Sequence, residues 1–287
     1  MKENYYIHDF IEDYPEQTDD DIQWKMASRE EFHELRSKRG TEKIEMGKFF
    51  RHQKIFARLM RIYERLFIIH ETGTGKTGSF INYALQSKNY ENKNIIVLQP
   101  GPPTVDDFKN QVRKFDQDGV LTKNYTVTTY QKFIKDDFSD QELIEKFSDT
   151  IFFLDEIHKL RNTELSDKSG DFINPDQIEK IYNYLWRIFH MSKRTKVIIS
   201  TATPMINSVY DFVPLINLLL PSDRQLPEIK EKGFYESLGI EQLEPYFRGL
   251  ISFVRFPESD IEIDRPGQIL ENYKQVLQVN KTKSIKE

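Results

Sequence analysis

The 287-residue chain contains no cysteine. Disulfides and thiolate metal sites are therefore excluded, and a reducing compartment fits. Long hydrophobic runs are also missing, since none approaches the roughly 20 residues that a membrane-spanning helix needs. The opening residues, MKENYYIHDFIEDY, have neither an apolar signal core nor a small-residue cleavage site. We therefore expect a cytoplasmic protein with no membrane partner. A large excess of one charge is lacking too: 41 Lys and Arg stand against 46 Asp and Glu, a net charge of -5. A protein held on nucleic acid mainly by phosphate charge would be more basic. No second His or carboxylate stands near His158 at zinc-ligand spacing, no repeat of fixed period is visible, and the N-x-T triplets at Asn124 and Asn280 read as chance.

What is present falls into stretches. Residues 1–44 are polar and acidic, above all Asp9 to Asp21, with Tyr5, Tyr6, Phe10, Tyr14 and Trp24 among the charges. Aromatics argue against full disorder and predict an arm that packs on something. Basic side chains gather at Arg36, Lys38 and Arg39, at Arg51, Lys54, Arg58, Arg61 and Arg65, and at Lys193, Arg194 and Lys196. The last group reads as a solvated face. Between Phe49 and Leu66 the positions Phe49, Phe56, Leu59, Met60 and Tyr63 suit one stripe of a helix. Four short apolar runs follow, at Leu66–Ile69, Ile95–Leu98, Ile151–Leu154 and Val197–Ile199, with a weaker one at Tyr125–Val127. Runs without alternation predict strands covered on both faces. Ile178, Ile181, Leu185, Ile188 and Phe189 recur at helical spacing, whereas 162–176 is polar, with Gly170 and Pro175, and reads as an exposed loop. Strands alternating with helices predict a doubly wound parallel α/β sheet.

His70-Glu71-Thr72-Gly73-Thr74-Gly75-Lys76-Thr77 follows the first strand and opens a helix-like segment. This is the setting of a phosphate-binding loop, in which glycines let backbone N–H groups turn toward phosphate oxygens and the next helix adds its positive end. Lys76 would reach the β- and γ-phosphates of ATP, and the Thr77 hydroxyl would coordinate Mg2+. The general pattern begins with Gly, and here that position is His70. Asp155-Glu156-Ile157-His158 ends another strand, and in a parallel sheet strand C-termini line the ligand crevice. Asp155 would hold Mg2+ and Glu156 would position and deprotonate the attacking water. A third stretch, Ser200-Thr201-Ala202-Thr203-Pro204-Met205-Ile206-Asn207, ends the Val197–Ile199 strand.

In this order, phosphate loop, Asp-Glu-x-His and Thr-Ala-Thr-Pro resemble motifs I, II and III of superfamily-2 helicases, and the run to Asn207 is similar to Swi/Snf-type translocases. The resemblance implies a P-loop NTPase (RecA-like) domain with helices on both faces of the sheet. It also implies ATP hydrolysis stimulated by nucleic acid, and coupling of γ-phosphate status to the track through His158, Thr201, Ala202 and Thr203. Gln53 resembles the adenine-contacting glutamine. Gln99-Pro100-Gly101 looks like motif Ia and Thr128-Thr129-Tyr130 like motif Ib, which in the family touch the nucleic-acid backbone. With Tyr14-Pro15-Glu16, Glu31-Phe32 and Phe247–Arg255, the chain looks most like helicase-type ATPases of large nucleocytoplasmic DNA viruses, a group that includes poxvirus-type nucleoside triphosphatase I and the small subunit of the early transcription factor.

Under that resemblance residues 45–255 form the first RecA-like domain and 256–287 lead toward a second. No Gln-x-x-Gly-Arg-x-x-Arg stretch follows residue 203. An arginine finger is worth about 10³ to 10⁵ in rate, so the chain alone should bind ATP–Mg2+ and hydrolyse it feebly. Nucleic acid, DNA ahead of RNA, is the expected partner, with transcription machinery or a second subunit beside it, in a viral factory or virion. A competing reading is a transcription-initiation subunit that uses the nucleotide site as a conformational switch. A P-loop kinase would need a small-substrate lid and would not explain Thr201 to Asn207.

Overall fold

The computed structural model describes residues 14–35, 48–87, 94–119, 121, 125–134, 138–160, 175–205, 209–229, 231 and 233–254. Six strands form one sheet: β1 (Arg65–His70), β2 (Asn94–Gln99), β3 (Tyr125–Thr129), β4 (Thr150–Leu154), β5 (Lys196–Thr201) and β6 (Ile251–Val254). They lie in the order β3-β2-β4-β5-β1-β6, and every pairing is parallel. Before the sheet come α1 (Ile22–Ser28), α2 (Glu30–His33) and α3 (Arg51–Ile62). The crossovers are α4 (Lys76–Ser87), α5 (Pro102–Phe115), the short α6 (Tyr130–Phe133), α7 (Asp140–Phe147) and α8 (Pro175–Met191). After β5 the chain passes through α9 (Val213–Asn217), α10 (Phe234–Ser237) and α11 (Ile240–Phe247) to β6.

The unbroken apolar runs supply two cores at once, because successive side chains of a strand leave opposite faces of the sheet. Phe67, Phe152, Val197 and Ile199 pack with Ile181, Leu185, Ile188 and Phe189 of α8. Leu66, Ile68, Phe153 and Ile198 pack on the other side with Phe56 and Met60 of α3 and Phe80 of α4. The neighbours Phe152 and Phe153 show the division: one meets Phe189 edge-on at 5.1 Å between centroids, the other stacks on Phe80 at 4.4 Å. Each such ring contributes roughly 1.5–3 kcal/mol by burial.

Several expectations need correction. The helix expected from Phe49 to Leu66 is shorter, because Phe49 lies before it and stacks on Phe115 at 4.7 Å, while Tyr63 takes an extended backbone that turns the chain into β1. Pro175 and Asp176 belong to α8 and not to the preceding loop, since Pro is preorganised for the first turn of a helix. Lys193 and Arg194 are exposed as expected, but Lys196 is fully buried. Its Nζ donates to the carbonyls of Met60, Arg61 and Tyr63. The end of a helix leaves its last carbonyls without partners, and an ammonium there answers both the missing donors and the helix dipole. The edge strand β6 was not expected at all: ISFV is short and mixed in character.

The described part of the arm packs as predicted. Ile22, Met26 and Phe32 form a small core with Ile62 and Tyr63, although Trp24 remains exposed. The Gln17 amide donates to the carbonyls of Arg65 and Gly249, at 2.9 and 3.1 Å, so the arm tacks down the starts of β1 and β6. Residues 1–13 and 36–44 of the expected arm, most of the 162–176 loop, Asn207 and the 256–287 segment lie outside the described residues. Among the described residues no helix is long and apolar enough to cross a membrane.

Candidate functional site

The C-terminal ends of β1, β4 and β5 bring the three singled-out stretches together. β1 ends at His70, the chain turns through Glu71–Gly75, and α4 begins at Lys76. Gly73 and Gly75 have φ of 84° and 83°, in the left-handed region where a side chain is strained. The Thr74 hydroxyl closes the turn by donating to the Glu71 carbonyl at 2.7 Å. Thr72 and Gly73 are exposed at the tip, and Thr77 is half-buried in the first turn of α4. The buried Lys76 ammonium lies 3.4 Å from the His70 carbonyl and 4.0 Å from Oε1 of Glu156.

Gln53 stands behind the loop. Its Nε2 donates to the Gly75 carbonyl at 2.9 Å, and its Oε1 accepts from the Phe50 N–H at 2.8 Å. A Cβ on Gly75 or on Gly78 would fall 2.5 Å from that Nε2. The amide expected to meet adenine thus also braces the loop, and Gly78, packed against it, is a neighbour of the site that the sequence reading missed.

Asp155 and Glu156 follow β4. Asp155 is held from several directions: its Oδ1 accepts from the Ser200 hydroxyl and, at 3.1 Å, from the Glu156 N–H, while Gln99 Nε2 donates to Oδ2 at 3.4 Å. The fully buried Tyr130 donates its hydroxyl to the Asp155 carbonyl at 2.8 Å. Burial raises the Asp155 pKa, and the Ser200 bond only partly offsets it. Glu156 has φ of 50°, a left-handed backbone on a non-glycine residue, of the kind that collects at functional sites. Burial pulls its pKa up, yet the bond to His158 and the charges of His158 and Lys76 win, and the net shift is downward.

His158 links this strand end to the next. Its Nδ1 is 3.1 Å from Oε2 of Glu156 and 2.7 Å from the Thr201 hydroxyl, which also accepts from the Thr203 N–H at 3.0 Å. Thr201 is fully buried, Ala202 half-buried and Thr203 exposed. Ser200 opens the third motif stretch and Tyr130 closes the motif Ib-like one, but neither was expected to bond Asp155. The register Leu154↔Ile199 sets Asp155 beside Ser200, so pairing the ends of adjacent strands is the signal that finds it.

The expected nucleic-acid contacts are partly engaged inside the domain. Gln99 is buried on Asp155, Pro100 is buried, and the buried Gly101 caps α5 with Thr104 donating to its carbonyl at 2.8 Å. Thr128 is half-buried, and the Thr129 hydroxyl caps α6 by accepting from the Lys132 N–H at 3.3 Å.

Among the described residues no group of three or more His, Asp or Glu could cage a metal. The Asp155 carboxylate with a threonine hydroxyl and the phosphate loop does suit Mg2+, which is usually bound through one or two carboxylates and the phosphates of its substrate. Asp155, already raised in pKa by burial, is the carboxylate that a cation would best compensate.

Residues 48–206 match the protein family described as type III restriction enzyme, res subunit. Over 93% of its length the chain is 25% identical to protein 087L of Invertebrate iridescent virus 3, and over 77% it is 22% identical to protein 009L of Frog virus 3 (isolate Goorha), both named as helicases. It spans 29% and 25% of the lengths of those two proteins. Its fold is similar to the Sulfolobus solfataricus SWI2/SNF2 ATPase core solved in complex with dsDNA, with a TM-score of 0.50 and 15% identity, over 70% of this chain and 42% of that one.

Proposed function

The chain belongs to the family described as type III restriction enzyme, res subunit, and from that premise we propose that it is the first ATP-binding domain of a superfamily-2 nucleic-acid motor. The fold is the RecA-like P-loop α/β fold, an all-parallel six-stranded sheet with helices on both faces. The observation that carries the reading is the meeting of Lys76 with Glu156, 4.0 Å apart, beside the half-buried Asp155. Glycines at positive φ and a cation after β1, with two carboxylates after β4 at the same edge of the sheet, are what phosphoryl transfer asks of a protein: positioning and charge stabilisation.

In this mechanism the backbone N–H groups of Thr72, Gly73, Gly75 and Lys76 hold the triphosphate. Thr77 and Asp155 would hold Mg2+, which supplies neutralisation of phosphate charge. Glu156, kept ionised by His158 and Lys76, orients a water and takes its proton as the oxygen bonds to the γ-phosphorus and ADP departs. Thr201 and Thr203 sense the result through His158. The loops at Gln99–Gly101 and Thr128–Thr129 are offered to a nucleic-acid backbone, DNA ahead of RNA, through N–H groups and hydroxyls that do not read bases. From the resemblance to the viral ATPases named in the sequence analysis we infer a setting in viral transcription.

The experiment is ATP binding and turnover by the wild type and Glu156→Gln, with Mg2+, with and without DNA and RNA. The reading expects Mg2+-dependent ATP binding in both proteins, a low turnover by the wild type, which has no second-domain arginine to draw on, and a still lower one by the variant. Absence of Mg2+-dependent binding in the wild type sinks it, and DNA and RNA stimulation in parallel decides the track.

A further inference from the structure

The first residue of the phosphate loop is a histidine whose ring is committed to a strand far away in sequence. His70 is fully buried, and its Nε2 lies 3.0 Å from the Ser252 hydroxyl of β6. Among the described residues its other ring nitrogen, the buried Nδ1, has no partner, so Ser252 is the ring's one polar tie there. Burial first, then His52 and Lys76, lower its pKa to about 3, and the ring is neutral at neutral pH. One residue along, the Glu71 N–H donates to the Val254 carbonyl at 3.1 Å. The His70 carbonyl meets the Lys76 ammonium, and the His70 ring meets His52 edge-on at 5.5 Å between centroids. His52 in turn lies 2.9 Å from the Thr74 carbonyl. Both ends of the loop are therefore in touch with His70, and His70 is in touch with β6.

β6 is poorly secured by its own packing. It is a four-residue edge strand, none of its side chains is fully buried, and Phe253 is 65% exposed. Its supports are Ile251 against the main core, the β1 ladder, Gln17 of the arm at Gly249, and the His70 and Glu71 bonds at the other end. Elements with few buried apolar contacts open first.

We propose that Ser252 is a positioning residue for the nucleotide site: bonded to His70, it fixes where β1 passes into the phosphate loop, so that the loop's hold on nucleotide depends on β6 being seated. The proposal rests on the loop being a nucleotide site, as read above. Linkage is reciprocal, so nucleotide must steady β6 by the factor with which seated β6 tightens nucleotide.

The test measures ATP–Mg2+ affinity by calorimetry for the wild type, Ser252→Ala, Ser252→Thr, His70→Ala and the Ser252→Ala/His70→Ala double variant. Hydrogen exchange across 251–254 is followed in parallel. Ser252→Ala should weaken ATP about 3- to 10-fold, the range of one neutral hydrogen bond. Ser252→Thr, which keeps the hydroxyl, should stay within about twofold, and the double variant should bind no more weakly than His70→Ala. ATP should slow exchange in β6 of the wild type. Wild-type affinity in Ser252→Ala, additive losses in the double variant, or β6 exchange indifferent to ATP would each overturn the proposal while leaving the nucleotide site intact. A wild-type chain that binds no ATP overturns both.

Discussion

Nδ1 of His158 lies 2.7 Å from the hydroxyl of Thr201, and this contact joins the strand end that carries the two carboxylates to the strand end that carries Thr203. Because the same ring nitrogen is 3.1 Å from Glu156, a shift of that carboxylate reaches Thr201 through one imidazole. Thr201→Val keeps the β-branched shape and removes the hydroxyl. ATP affinity should stay within about threefold, while the ratio of turnover with and without nucleic acid should fall about tenfold, within the 5- to 150-fold span of typical couplings. Steady-state turnover on DNA checks it, and an unchanged ratio would remove Thr201 from the coupling path.

Lys76→Ala removes the cation of the phosphate loop. Charge-assisted bonds to phosphate are worth roughly 1.5–3 kcal/mol, so ATP affinity should fall about 10- to 100-fold by calorimetry. Among the described residues the ammonium meets the His70 carbonyl at 3.4 Å and Glu156 at 4.0 Å. The melting temperature without nucleotide should therefore move by no more than about 2–4 °C, the equivalent of about 1 kcal/mol in a domain of this size. Equal ATP affinity in both proteins would contradict the assigned role.

His70 predicts a pH dependence. Its folded pKa is lowered from 6.5 to about 3, so between those values the unfolded chain binds a proton that the folded chain does not. Stability contributed by the neutral ring is complete above pH 6.5 and is lost as pH falls toward 3. At pH 5 the loss is about 2 kcal/mol relative to pH 7.5. Urea unfolding at the two pH values should show His70→Gln less acid-sensitive by about that amount, and identical slopes would mean that the ring is not buried in its neutral form.

Lys196→Met tests the buried ammonium beneath α3. The substitution keeps the length and leaves the carbonyls of Met60, Arg61 and Tyr63 without their shared donor. A loss of about 2–4 kcal/mol is expected. ATP affinity of the folded protein should be unchanged, and Lys193→Ala, on the exposed neighbour, should leave the melting temperature within about 1 °C, as surface substitutions usually do. A Lys196→Met protein as stable as wild type would show that α3 ends without that support.

How far each feature could be read in advance follows the range of the interaction behind it. The phosphate loop was legible because its glycines answer a local backbone demand, positive φ at Gly73 and Gly75, between a strand and a helix that each announce themselves by pattern. Five of the six strands were legible because apolar runs must be covered on both faces. Lys196 was misread because three basic residues within four positions look solvated, and nothing local says that the third lies under the end of a helix 135 residues earlier.

The amino-acid order alone therefore settled the doubly wound plan and the places where Lys76, Asp155 and Glu156 fall at strand and loop boundaries. Which neighbours those residues meet was decided in three dimensions. Strand order sets Asp155 against Ser200 and His70 against Ser252, pairs 45 and 182 positions apart, and it turns Gln53 onto Gly75. Periodicity reports which face of an element is buried but carries no information on what lies across from it. That partner is chosen by the packing of the whole sheet.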